Sequence, residues 1–283
     1  MEEYFTCDLS INGYNIKMCV NVLIEYTSIK YVGFIMRNFL KKNLDPVVRL
    51  YSVIPLITCF VFNTLVYYGA MAINNNRIHY DFTTDFDRGV PTIPIFVIIY
   101  FVCYGFWAIN YIIIGKISRE HCMRFVFADI SSRVVCAIFF ILIPTTNIRP
   151  EILGNGIGEQ LLRHLYAIDH PENLFPSIHC LVSWFCFIGI RGQKQVPRWY
   201  RIFSCIFAVT VCLSTQFTKQ HYIIDLFGGI MIAELTYYIA RHSEWYRGVG
   251  KLFDKISAIT FGKNNIDLLE SERISVKEQE KHI

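Results

Sequence analysis

The chain has 283 residues, 53% of them hydrophobic and 18% charged, with a formal net charge of +4. It is too apolar for an ordinary soluble domain, and its charges gather between the apolar runs. Six runs of this kind would leave little chain to cover them in a water-soluble fold, so the composition points to a membrane protein.

The first fifty residues are too polar for a cleavable signal peptide. Within them, the mixed stretch 14–40 reads either as an amphipathic helix lying along a membrane surface or as a partly ordered tail. A helix that crosses a bilayer needs roughly 20 apolar residues. Six candidates follow in chain order, at 52–73, 93–114, 125–144, 175–190, 202–218 and 222–240. The fourth and fifth are short or interrupted by polar residues. The expected fold is therefore all-α, a six-helix transmembrane bundle over 51–242. A cytoplasmic or interfacial segment, 1–50, precedes it and a charged, partly disordered tail, 243–283, follows.

Lys and Arg set the orientation. Lys30, Arg37, Lys41, Lys42 and Arg49 precede the first span; Lys116, Arg119 and Arg124 separate the second and third. Arg191, Lys194, Arg198 and Arg201 separate the fourth and fifth, and Arg241, Arg247, Lys251 and Lys255 follow the sixth. Both termini read as cytoplasmic. The net positive charge is mostly this bias, and no basic stripe interleaved with aromatics marks a nucleic-acid site. The ten cysteines contain no C-x-x-C pair and read as reduced packing residues.

Two short motifs stand where apolar runs begin: Pro176-Ser177-Ile178-His179 and His221-Tyr222-Ile223-Ile224-Asp225. Both histidines fall on the extracytoplasmic side of the expected topology. Ionisable groups inside a membrane are costly and are functional by default. At i and i+4 on a helix, Asp225 can hold the His221 ring proton, as a nucleophilic or general-base histidine requires. The loop 145–174 opens with Asn147-Ile148-Arg149-Pro150. Arg149 is a natural bidentate partner for a phosphate. Pro176 and Ser177 start a helix whose free N–H groups favour anions. An arginine, a helix start with a hydroxyl and two histidines, one backed by a carboxylate, fit phosphoryl transfer through a phosphohistidine. Asp129 and Arg133, at i and i+4 inside the third span, and Glu234 inside the sixth read as structural ion pairing between packed helices. The competing class, a non-enzymatic channel or transporter, predicts broken helices in symmetric positions, and no such symmetry is visible.

Arg149-Pro150, Pro176-Ser177-Ile178-His179 and Ser214 with His221 and Asp225 resemble the three signature motifs of the type-2 phosphatidic acid phosphatase superfamily. The resemblance covers the third to sixth spans. It implies a lipid phosphatase acting on a phosphate ester of a phospholipid or isoprenoid, or a phosphotransferase of the inositol phosphorylceramide synthase kind. By it, His221 is the nucleophile, Asp225 its orienting group and His179 the acid. Arg149, Ser177 and Ser214 hold phosphoryl oxygens, and no metal or cofactor is used. The chain departs from the family pattern at Leu142 and Thr215, where cations are usual, and at Ile178, where glycine is usual. Lys219 is the candidate substitute cation, four residues after Thr215.

Overall fold

The computed structural model describes residues 45–261 and, ahead of them, two short strands, β1 (Ser10–Ile11) and β2 (Tyr14–Asn15), paired antiparallel. The segment 14–40 lies almost entirely outside the described residues, and 262–283 wholly so. The compact unit 51–259 carries the bundle. Its elements are α1 (Leu50–Asn74), β3 (Tyr80–Asp81), α2 (Asp85–Gly89), a 3-10 turn (Pro94–Phe96), α3 (Val97–Ile117) and α4 (Arg119–Leu142). Then come β4 (Thr145–Thr146), α5 (Ile157–Ile168), α6 (Ile178–Ile188), α7 (Arg198–Phe217), α8 (Ile223–His242) and α9 (Tyr246–Phe261).

Among the described residues, five helical segments are long and apolar enough to cross a bilayer: α1, the 3-10 turn continued by α3, α4, α7 and α8. The chain is an all-α, polytopic integral membrane protein. The fourth expected span is the exception. Instead of 175–190, α6 is helical over 11 residues, about 16 Å, or roughly half the ~30 Å hydrocarbon core. Its ends explain the difference. Ser177 is the N-cap, with its hydroxyl accepting from Cys180 N, so Phe175 and Pro176 stay outside the helix. After Gly189 the chain turns away through Gly192, whose φ of 81° suits only glycine without strain. This short helix is the centre of the bundle. It packs on α3, α7 and α8, and Leu181, Phe185 and Ile188 are fully buried.

The intramembrane charges are paired. Arg133 Nη2 donates to Asp129 Oδ1 at 2.9 Å, and Tyr111 donates to the same oxygen at 2.6 Å. Burying such a pair is compensated only if both charges stay together; removing one leaves the other stranded at a cost of about 3–5 kcal/mol. Glu234 has a partner that the sequence did not indicate: Arg191, from the turn after α6, grips both its oxygens at 2.9 Å. Trp184 Nε1 adds a bond to Glu234 at 2.9 Å. The region after α8, read as a tail, opens with a helix. α9 is pinned to α4 by the Arg119–Asp254 ion pair and by the Tyr246–Glu120 bond of 3.0 Å.

α1 is fastened at both ends. Tyr51 donates to Gly115 O at 2.7 Å near one end, and Asn74 Nδ2 to Phe140 O at 2.7 Å at the other. Beyond α1, β3 pairs parallel with β4, so the α1–α2 connection lies beside the α4–α5 loop.

Candidate active site

α7 ends at Phe217, and the chain reverses in four residues. Gln220 N and His221 N both donate to Thr215 O, at 2.9 and 3.2 Å, and Lys219 takes a left-handed φ of 53° to allow it. His221 therefore precedes α8 rather than lying on it. Asp225 stands in the first turn of α8, and its Oδ2 reaches back to accept from Tyr222 N at 2.9 Å. The same oxygen is 3.2 Å from His221 Nδ1, and Leu174 O is 3.1 Å from that nitrogen. Two acceptors at Nδ1 require a proton there, which leaves the lone pair on Nε2. Burial opposes charge on this ring, but the Asp225 hydrogen bond and charge outweigh it and hold the His221 pKa above its ordinary value.

The α1–α3 connection braces this corner. Asp87 Oδ1 accepts from Ile223 N, the first N–H of α8, at 2.8 Å. Ser177 N donates to Asp225 O at 3.1 Å and ties the start of α6 to the start of α8. Close approach here depends on Gly229, where an added Cβ would lie 2.6 Å from Ser177 O, a backbone atom that cannot swing away. Gly229→Ala should therefore push α6 from α8 and separate His179 from His221. We expect at least a tenfold loss of activity, about 1.4 kcal/mol, with the protein still folded by circular dichroism.

His179 lies in the first turn of α6, with its ring centre 5.9 Å from that of His221. Its Nδ1 is 3.3 Å from Tyr100 Oη and its Nε2 is 3.2 Å from Tyr104 Oη; both tyrosines come from α3. Tyr100 also stacks on the imidazole at 4.2 Å. Arg149 arrives from the loop after α4. One guanidinium nitrogen donates to Asp169 O and the other to Gln220 Oε1 at 2.5 Å, while the group sits 4.9 Å over the Tyr166 ring. Burial lowers its pKa, and the nearby Asp169 carboxylate opposes that shift.

Arg149, His179 and His221 line one cavity of about 260 Å³. Its other walls include Tyr67 and Tyr68 of α1, Tyr104 and Trp107 of α3, and Asp169 and Gln220. Asp225 stands behind His221. The remaining candidates lie elsewhere. Ser177 is buried and caps α6. Ser214 Oγ donates within α7 to Val211 O at 2.7 Å. Lys219 Nζ turns away and donates to the carbonyls of Asp87 and Val90 at 2.6 and 2.5 Å. None of the three lines the cavity. Lys219 fails to reach it because the left-handed turn that delivers His221 points this side chain at the α2 segment. Lys219→Gln should accordingly lower thermal stability and leave kcat within about threefold, well short of the tenfold that 1.4 kcal/mol of transition-state stabilisation implies. A larger kcat loss at unchanged Tm would return the lysine to the phosphate.

Sequence reasoning missed Tyr100, Tyr104, Asp169 and Gln220. Tyr100 and Tyr104 are at i and i+4 on α3, a spacing indistinguishable from an interfacial aromatic pair. Asp169 has no motif around it, and Gln220 had only its place beside His221.

A family model described as the PAP2 superfamily matches residues 94–239, more than half of the chain. The chain belongs to the PAP2 superfamily. No curated protein and no solved structure matches it. PAP2 membership makes this a membrane-embedded lipid enzyme of the phosphatase or phosphotransferase type. The PAP2 match runs from the 3-10 turn into α8 and includes Arg149, His179, His221 and Asp225. It leaves out α1, which nonetheless walls the cavity.

Proposed function

We propose that this protein hydrolyses a phosphate ester of a phospholipid or isoprenoid through a phosphohistidine on His221. His221 Nε2 attacks phosphorus, and the bond to the leaving alcohol breaks as His179 gives that oxygen a proton. Water then attacks phosphorus, with His179 taking its proton, and the bond to His221 Nε2 breaks to release phosphate and the free imidazole. Arg149 holds the equatorial oxygens with a planar fork that a point charge cannot imitate. The observation that carries the reading is the pair of acceptors on His221 Nδ1, which supports Nε2 as the free nucleophilic nitrogen on the cavity wall.

The second reading is transfer of the phosphoryl or phospho-head group to a lipid or sugar alcohol. The position of Lys219 favours it. Among the described residues that line the cavity, Arg149 is the one Lys or Arg. A single such cation suits a monoanionic phosphodiester better than a dianionic monoester. Purified protein given ³²P-labelled lipids, with and without an acceptor alcohol, separates the two. Free phosphate supports hydrolysis, a new labelled lipid supports transfer, and neither product from any lipid phosphate contradicts both. The clustered Lys and Arg of the opposite flanks support an extracytoplasmic site with both termini cytoplasmic. With both histidines engaged in nucleophile and acid roles, activity should persist in a chelator. Loss reversed only by adding back a divalent ion would contradict this mechanism.

A further inference from the structure

Behind His179 stands a second carboxylate. Tyr100 Oη, 3.3 Å from His179 Nδ1, lies 3.1 Å from Asp169 Oδ2. Asp169 Oδ1 accepts from Tyr67 at 3.0 Å, and its main-chain oxygen accepts from Arg149. A phenol has one proton and a carboxylate can only accept, so the Tyr100 proton points at Asp169. The phenol oxygen is then left to accept from His179 Nδ1–H. In the neutral ring, Nε2 carries the lone pair and faces Tyr104 Oη.

We propose that Asp169, acting through Tyr100, is the positioning carboxylate of His179, as Asp225 is of His221. The inference rests on reading His179 as the proton donor to the leaving group. In this scheme the ring enters the first transfer as an imidazolium, a form that burial and the facing His221 oppose and that the Tyr100–Asp169 path favours. It gives its Nε2 proton to the leaving oxygen as the P–O bond breaks, and the neutral ring keeps Nδ1–H on Tyr100. In the second half, Nε2 takes the proton of the incoming water or alcohol. That oxygen bonds to phosphorus as the bond to His221 breaks. Each half-reaction returns the ring to the form that the next requires.

The cavity explains why such a group is needed. His221, backed by Asp225, faces His179 across 5.9 Å; Arg149 reaches the same space from the α4–α5 loop, and His170 and Glu172 from the α5–α6 loop. Tyr104 and Tyr67 face it from α3 and α1, and α7 contributes no charged side chain to the lining among the described residues. With Asp225 committed to His221, Asp169 is the carboxylate joined to His179 by a continuous hydrogen-bonded path. A low-dielectric site strengthens such a path.

The test uses the full chain in detergent micelles with ¹⁵N-labelled histidine. The His179 ring signals are assigned by their loss in His179→Gln. Neutral His179 should be in the Nδ1–H form. Asp169→Asn and Tyr100→Phe should each lower its titration midpoint by about one pH unit, a tenfold loss of proton affinity, while Tyr67→Phe leaves it in place. Asn keeps one acceptor oxygen and the backbone carbonyl that Arg149 uses, so a purely structural role for Asp169 would not move the midpoint. In turnover, the alkaline limb on phosphatidic acid should move down equally in both variants. The loss should be smaller on p-nitrophenyl phosphate, whose leaving group needs no proton. An Nε2–H tautomer, or a midpoint and limb unmoved in both variants, would overturn the proposal; if Asp169→Asn does not fold, Tyr100→Phe decides. His179→Ala distinguishes the two levels. Equal losses on both esters remove His179 as the donor and this inference with it. Unequal losses there, with an unmoved limb in Tyr100→Phe, sink this inference alone.

Discussion

His221→Gln should reduce turnover by about 10⁴-fold or more, the scale seen when a nucleophile acting as part of a catalytic unit is removed. Gln fills similar space and can still donate an amide proton toward Leu174 O and Asp225, so expression and Tm should change little. Its side chain offers no nitrogen lone pair to phosphorus. The assay compares kcat on ³²P-labelled lipid for purified wild type and variant at matched folding. Residual activity above about a hundredth of wild type, a difference under 3 kcal/mol, would mean that the nucleophile lies elsewhere.

Asp225→Asn should come next, with a loss of about 10²–10⁴-fold, because an amide can donate to Nδ1 and so favour the wrong tautomer. The pH profile carries a sign that a structural defect does not. Reaction requires neutral His221, and the Asp225 hydrogen bond and charge, against burial, hold its pKa above the ordinary value. The acidic limb of kcat/KM should therefore lie above about 6.5 in the wild type and move to lower pH in Asp225→Asn. The stability effect has the opposite sense. A histidine whose folded pKa is raised contributes stability that is fully present below its unfolded pKa and is lost as pH rises through the folded one. Urea melts of the wild type should show that loss over this window, and Asp225→Asn should flatten it. An acidic limb that stays in place in the variant would argue that Asp225 does not govern His221.

The long apolar runs at α1, α3, α4, α7 and α8 were legible because membrane solvation demands both length and apolarity. α6 was overread because an apolar run shows how far the chain avoids water, not how far it stays helical. Ser177 and the Gly189–Gly192 turn set its true ends. The His221–Asp225 pairing was visible in the spacing, although the contact arises from a carboxylate in the first turn of α8 reaching back rather than from a shared helix face. Arg149, His179 and His221 meet at one cavity as their order suggested. Lys219 does not join them, because side-chain direction in a left-handed turn cannot be read from helical periodicity. The Tyr100–Asp169 path was invisible for a related reason. It joins α3 to the end of α5 across 69 residues, and nothing local in either segment marks it.

The most direct test of the central claim is to trap the phosphoenzyme. Wild-type protein mixed with ³²P-labelled lipid, quenched in alkali within one turnover and digested should yield a labelled peptide containing His221. That label should be stable in base and lost in acid, and it should be absent from His221→Gln. A label that is stable in acid, sits on another residue, or persists in His221→Gln would contradict the account.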